Sequence, residues 1–569
     1  MARLIDRGPS GTTRASSPGP VGLTMHCTRI LLASTVALVL AAAPTRHAAA
    51  TDSSVAETIT AILAREDPLV LDGVTVNGGW LRQLYDGRSG SELWQGKIDA
   101  VVGVLGAAAA EGLDAAAYNS TAIARRQADR SNEGIATLDL LVSDAVLKYA
   151  RDVRYGRSRP RITAEAALEP APNPVPLVQV VATARDVAEA MRALPPHHAE
   201  YRALRAALAD HRALLSAGIQ WPVIPDGPTI RPGMSDDAVP ILRARLAATG
   251  EYTGAVHVKS HRLDPPLVEA VKAFQESHGL APDGAVGPLA RAALNVGPAS
   301  RVEQLITNME RWRWMPDDLG TRRLVVNIAA ARVRLVDGGT TRFEGPVIVG
   351  ETDKMTPMFS SAITQVIFNP SWTVPDKIAR KELLPKVKRD NAYFARQGIR
   401  LIGSWHPSAT SEDPDKVDWG GAHGATGFRL RQAPGPQNPL GRVKFLLPNV
   451  FGVYLHDTSN RNLFRKERRL LSHGCVRVGG ALELADELLG EQPNWSTERR
   501  DKILAGWKTT TVNLETPMPV HLMYETASVD AAGHVHFLED VYGRDHRLAD
   551  ALAGRRSEPT PEVVRTAEP

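Results

Sequence analysis

The sequence predicts an α+β chain of several domains: a helical first half, a small helical module, and a mainly-β final domain broken by an insertion. Three observations carry this. Between residue 51 and about 225, apolar residues recur every three or four positions, most regularly at 138–155. From residue 323 onward the pattern changes to alternating or continuous apolar runs bounded by turn residues. At 569 residues, the chain also exceeds what one hydrophobic core serves.

Taken in order, residues 1–50 read as a leader. An apolar run at 30–43 has Arg29 before it and Ala48, Ala49 and Ala50 after it, the layout of a secretory signal. It is shorter than the ~20 apolar residues that a spanning helix needs. Met25 is a plausible true start, and cleavage near Ala50 would leave a chain exported to the periplasm or cell envelope. The leader holds five arginines and one aspartate, against a net charge of +4 for the whole chain. The remainder is therefore near neutral, which removes the case for a nucleic-acid partner. Of the two cysteines, Cys27 lies in the leader, so export leaves Cys475 alone. A lone cysteine in an oxidising compartment is either an inert buried thiol or a reactive one.

Residues 51–225 are expected to form a helical scaffold, and the prolines at 222–232 read as a linker. Residues 231–297 are expected to fold as a compact module around Leu242, Leu246, Val271, Phe274, Leu280, Val286, Leu289 and Leu294. The final domain spans 301–545, with a run of strand over 323–336 and a turn at Asp337, Gly338 and Gly339. Its pattern breaks at 374–437 into a basic helical stretch and a glycine-rich loop (Gly420, Gly421, Gly424), as an inserted lid would. Residues 546–569 read as a tail. Between residues 361 and 480 there are nineteen Lys or Arg and nine Asp or Glu, which favours an anionic ligand over a neutral one; a solvated charged face is the competing reading.

The chemistry centres on residues 453–478. A cysteine nucleophile needs a base or cations nearby, because a free thiol of pKa ~8.5 is mostly protonated at neutral pH. His456 and His473 are candidate partners, and the Gly474 and Cys475 amides are candidate oxyanion donors. A structural cysteine is one alternative. A metal site from His456, His473 and Cys475 is another, but it lacks the short-spaced ligand pairs that zinc sites show.

His456 followed by Ser472, His473, Gly474, Cys475, Val476 and Arg477 resembles the active-site signature of L,D-transpeptidases. Residues 433–445 and 454–458 resemble the large multidomain branch of that family, and 270–287 resembles a peptidoglycan-binding type 1 module. The resemblance implies a helical scaffold, a peptidoglycan-binding module and a catalytic domain with a capping insertion. It makes Cys475 the nucleophile and His456 the general base and acid, with Ser472, His473 and Gly474 around the thiolate. Arg477, Tyr454 and Trp372 would meet substrate. The family has Gly after the catalytic histidine in its smaller members, so the role of Asp457 is open. No metal or cofactor is implied. The expected partners are peptidoglycan peptide stems and other cell-wall enzymes, and the acceptor is a diaminopimelate amine, an envelope protein or water. A catalytically silent wall-binding scaffold is the alternative from another class.

Overall fold

The computed structural model describes residues 53–158, 166, 171–256, 259–390, 392–402, 411–412 and 429–555. The expected leader, Cys27, the glycines at 420–424 and the chain beyond 555 lie outside them. Among the described residues, no helix is long and apolar enough to cross a membrane.

The first region is built around α1 (Asn132–Tyr155), which starts where the Ser131 side chain accepts from the Gly134 N–H and stops at Gly156, φ 92°. Its residues from Leu138 to Leu147 are buried on every side, so neighbouring helices wrap it completely. Three of those residues are polar and are therefore paired. Asp139 accepts from the Leu93 and Trp94 amides, and Asp144 accepts from Asn77 N–H and Asn119 while facing Lys148 at 2.6 Å. A later helix, α2 (Ala199–Ser216), leaves this core.

In the module, α3 (Pro265–Ser277) is capped by Asp264 and buries Val271 and Phe274 against Leu242, Leu246, Val286 and Leu294. Two of the expected core residues are placed differently. Leu280 is half-buried and Leu289 is exposed, because the short helix Pro288–Leu294 turns Ala290, Arg291 and Leu294 inward instead. The proline-rich linker has no helix or strand but is fixed to the module. Ile224 and Ile230 join its core, and the Arg291 guanidinium donates to the Gly227 and Pro228 carbonyls.

Among the described residues after α4 (Pro298–Trp312), the main sheet takes nine strands: β1 (Arg322–Asn327), β2 (Arg332–Asp337), β3 (Thr340–Gly350), β4 (Phe359–Phe368), β5 (Val443–Leu446), β6 (Leu455–His456), β7 (Leu470–Ser472), β8 (Val476–Val478) and β9 (Thr510–Met523). They form one sheet in the order β7-β3-β8-β6-β5-β4-β9-β1-β2, and β2 also pairs with β3. The sheet thus closes on itself around Val333, Val347, Val366, Phe445, Leu455 and Val476, with α5 (Ala481–Leu489) packed against it. Helices α2 and α4 share a second core with Val325 and Met523 on the outer face of the same sheet.

The run expected at 323–336 is two strands, not one. Asn327 Oδ1 accepts from the Ala329 and Ala330 amides and Ala331 sits at φ 49°, so its polar side chain folds the chain back. The next hairpin is as read, with Gly338 and Gly339 both at positive φ between paired Asp337 and Thr340. Between β4 and β5 stands a separate four-stranded sheet (Trp372–Thr373, Arg429–Gln432, Ile399–Ile402, Ser411–Glu412). It has its own small core of Val374, Leu383, Val387, Phe394, Ile399 and Leu401. The stretch read as a tail begins as structure: α6 (Arg544–Leu552) buries Arg544, Leu548 and Ala549.

Phe445 is fully buried at the centre of the closed sheet. Phe445→Ala is expected to destabilise this domain by about 3–5 kcal/mol, measured as a lower urea midpoint of its unfolding transition.

Candidate active site

Two very short strands build the site. β6 and β8 run parallel, with Leu455 opposite Val476 and His456 opposite Arg477; the Val476 N–H donates to the Tyr454 carbonyl at 3.1 Å. Side chains alternate along a strand. Leu455 and Val476 therefore enter the core, fully buried, while Tyr454, His456, Cys475 and Arg477 share the other face. β5 adds Lys444 to that face, opposite His456. Its Nζ lies 3.8 Å from the centre of the Tyr454 ring, and the Tyr454 and His456 rings are 5.6 Å apart.

His456 Nδ1 lies 2.5 Å from the Asp457 carbonyl oxygen, so the ring donates there and keeps its Nε2 lone pair. Asp457 thus orients the imidazole by its main chain. Its carboxylate points away, accepting from the Arg442 N–H at 2.9 Å and facing Arg461 at 3.3 Å. Burial, then the Arg477 charge, pull His456 down to about 3, with Lys444 adding to the effect and the Asp457 carbonyl opposing it. Cys475 is half-buried. Burial pushes its thiol up, while hydrogen bonding from Tyr454 and the charges of Lys444 and Arg477 pull the other way. Both shifts favour the neutral thiol and the neutral imidazole.

The turn before Cys475 is tied to its surroundings. Ser472 Oγ donates to the Cys475 carbonyl at 2.6 Å and accepts from the Gly474 N–H at 3.1 Å. The Gly474 amide, an expected oxyanion donor, thus has Ser472 as its partner here. Gly474 sits at φ 111°, where a side chain is strained, and its carbonyl accepts from Thr356 Oγ1 at 2.8 Å. Thr356 is held in turn by residues beyond the strands: Arg544 donates to its carbonyl at 2.9 Å, and Tyr542 Oη donates to the Gly350 carbonyl at 2.6 Å. None of Thr356, Tyr542 or Arg544 was legible as functional. Lys444 was legible only within the 433–445 stretch that carries the family resemblance and in the basic count over 361–480.

His473 is exposed, its Nε2 meeting Glu382 of the insertion at 2.5 Å. Trp372 pairs with Gln432 in this second sheet and packs half-buried on its core. Part of the basic stretch is structural: Arg469 donates to the Val347, Ala330 and Ala331 carbonyls, and Arg468 pairs with Glu539 at 2.5 Å. Among the described residues, no group of three or more His, Cys, Asp or Glu is arranged to hold a metal ion.

Residues 321–513 match the family model of the L,D-transpeptidase catalytic domain. That segment is similar to an L,D-transpeptidase catalytic domain. Ahead of this transpeptidase domain, residues 79–208 match a scaffold domain and 235–294 a model described as "Putative peptidoglycan binding domain". A relative from Haemophilus influenzae, named "Putative L,D-transpeptidase", is 35% identical over 246 residues, which is 43% of this chain and 49% of that one. The chain thus spans about half the length of that relative. Among solved structures, an L,D-transpeptidase from Xylanimonas cellulosilytica (15% identity, 52% of this chain and 99% of that one) has a TM-score of 0.18. One from Stackebrandtia nassauensis (13%, 53% and 96%) has a TM-score of 0.20. Tyr542 and Arg544 lie outside the matched transpeptidase segment, although they brace its cysteine turn.

Two outcomes are expected. Because burial raises the thiol, the rate of Cys475 alkylation by iodoacetamide should still be climbing at pH 9, followed by intact mass across a pH series. A plateau by pH 8 would contradict the protonated resting state. Gly474→Ala should lower that rate by ~10-fold or more by straining the turn at positive φ, at ~1–3 kcal/mol, with far-ultraviolet circular dichroism unchanged.

Proposed function

We propose that this chain is an exported L,D-transpeptidase that cross-links peptidoglycan through a thioester on Cys475. The observation that carries the reading is the shared face of Tyr454, His456 and Cys475, with His456 oriented by the Asp457 carbonyl. An imidazole locked through Nδ1 has one task left for Nε2, which is to take a proton from a neighbour.

In the first step the Cys475 thiol proton passes to His456 Nε2 as the sulfur attacks the carbonyl before the terminal D-residue of a tetrapeptide stem. The D-residue leaves with the proton that His456 returns to its nitrogen, and the acyl group stays on sulfur. In the second step an amine of a neighbouring stem attacks the thioester, His456 takes its proton, and the thiol is regenerated. The side-chain amine of a diaminopimelate residue is the acceptor favoured here. Tyr454 donates to the sulfur as charge develops, and the Cys475 amide remains as the backbone donor to the oxyanion, since that of Gly474 serves Ser472. The insertion at 374–437 caps the cleft, and Glu382 is its foothold on the catalytic turn. The module at 231–297 holds the wall polymer, which places the enzyme in the periplasm or envelope, among other cell-wall enzymes.

The test is muropeptide mass analysis after incubation with tetrapeptide-bearing peptidoglycan. Cross-linked dimers with loss of one D-residue per bond are expected from the wild type and none from Cys475→Ala, whose circular dichroism should be unchanged. Hydrolysed stems without dimers would assign water as the acceptor. Equal products from both proteins would end the cysteine mechanism.

A further inference from the structure

Cys475 sits in a turn whose main chain is held by hydroxyl groups. Ser472 Oγ accepts from the Gly474 N–H and donates to the Cys475 carbonyl, while Thr356 Oγ1 donates to the Gly474 carbonyl at 2.8 Å. The Gly474 N–H and both carbonyls are thus engaged, which leaves the Cys475 N–H, without an acceptor among the described residues. Thr356 is fully buried, and a hydroxyl has one proton to give. The Gly350 N–H donates to Thr356 Oγ1 at 2.9 Å, so the oxygen accepts there and its own proton goes to Gly474. Its main chain is held as well, with Arg544 donating to its carbonyl and its N–H facing Tyr542 Oη at 3.4 Å. Gly350 permits this close packing, because a Cβ there would collide with the Lys354 carbonyl.

A trans peptide is planar, with its N–H pointing opposite to its C=O. Whatever fixes the Gly474 carbonyl therefore fixes the Cys475 N–H. Such a restraint matters at this position, because Gly474 has no Cβ and sits at φ 111°, so rotation of the peptide that follows it meets little steric resistance. A rotated peptide would turn a carbonyl oxygen, not an N–H, towards the place where the acyl oxygen becomes negative. We infer that Thr356 is a positioning residue, which aims the Cys475 N–H at the oxyanion by holding the Gly474 carbonyl on the opposite side. The inference rests on the reading of Cys475 as nucleophile, and it adds a residue from outside the Cys475 and His456 signature. The Thr356 hydroxyl is spent on Gly350 and Gly474, so it carries no proton in the reaction. Its effect is confined to steps in which a carbonyl is attacked.

The experiment compares two reactions of Cys475 in the full chain. With p-nitrophenyl acetate the sulfur attacks the carbonyl through an oxyanion, the thiol proton passes to His456, p-nitrophenolate leaves and an acetyl thioester remains. Iodoacetamide alkylates the same sulfur by displacing iodide, with no oxyanion. Both are followed by intact mass, with Cys475→Ala as the background. Thr356→Val should lower acetylation by ~100-fold, the scale of losing one oxyanion donor, and leave alkylation and its pH profile near those of the wild type. Thr356→Ser, which keeps the hydroxyl, should retain both rates. A valine variant that loses both rates equally, or neither, overturns the positioning role. Selective loss of acetylation in the serine variant also overturns it, because the hydroxyl would then not be the cause. Thr356→Ala is measured beside the valine variant, and failure of both to fold assigns the hydroxyl to the fold and ends the inference. If wild-type Cys475 reacts with neither reagent, the nucleophile reading itself fails and the inference falls with it.

Discussion

The site depends on the parallel pairing of two strands of two and three residues, Leu455–His456 and Val476–Val478. Parallel neighbours need a long connection between them, and here the connection is the basic stretch 457–475. One register step in either strand would turn the face that carries His456 and Cys475 into the core and bring Leu455 and Val476 to the opposite side. What fixes the register is burial. Leu455 and Val476 are fully enclosed by Val347, Phe445 and Val366, so the slipped arrangement would place His456 and Arg477 in an apolar core.

Around that pairing, the protein stabilises a turn with no regular structure of its own. The chain of contacts from Tyr542 and Arg544 to the 350–356 loop, and from Thr356 to the Gly474 carbonyl, anchors the turn from below. Ser472 closes it from within by bonding at both Gly474 and Cys475. The residues that place the sulfur are therefore scattered over nearly 200 positions of sequence, and several are chemically inert. Their contribution is to fix the position of Cys475 in its turn.

The electrostatics follow from the same geometry. Enclosing His456 favours its neutral form, and Arg477 and Lys444 lower its basicity further. Cys475 is pulled in both directions, by burial towards the thiol and by Tyr454 and the two cations towards the thiolate. A site so balanced has low reactivity at rest.

Local pattern was enough to read the parts of this protein. Apolar periodicity separated the helical region from the strands, paired glycines marked the Gly338 and Gly339 hairpin, and the residues around Cys475 and His456 announced a thiol with a base. Each of these signals lies within a few positions of chain, where backbone preference and burial pattern act directly. Only the tertiary structure decided which way Asp457 points, that the Gly474 amide is already used, that His473 meets the insertion, and that residues 540–545 support the active turn. It also set Lys444 beside His456 and Arg477. Those facts are contacts between strands and loops far apart in sequence, and hydrogen-bond partners and charges are chosen by whatever folding brings within a few ångströms.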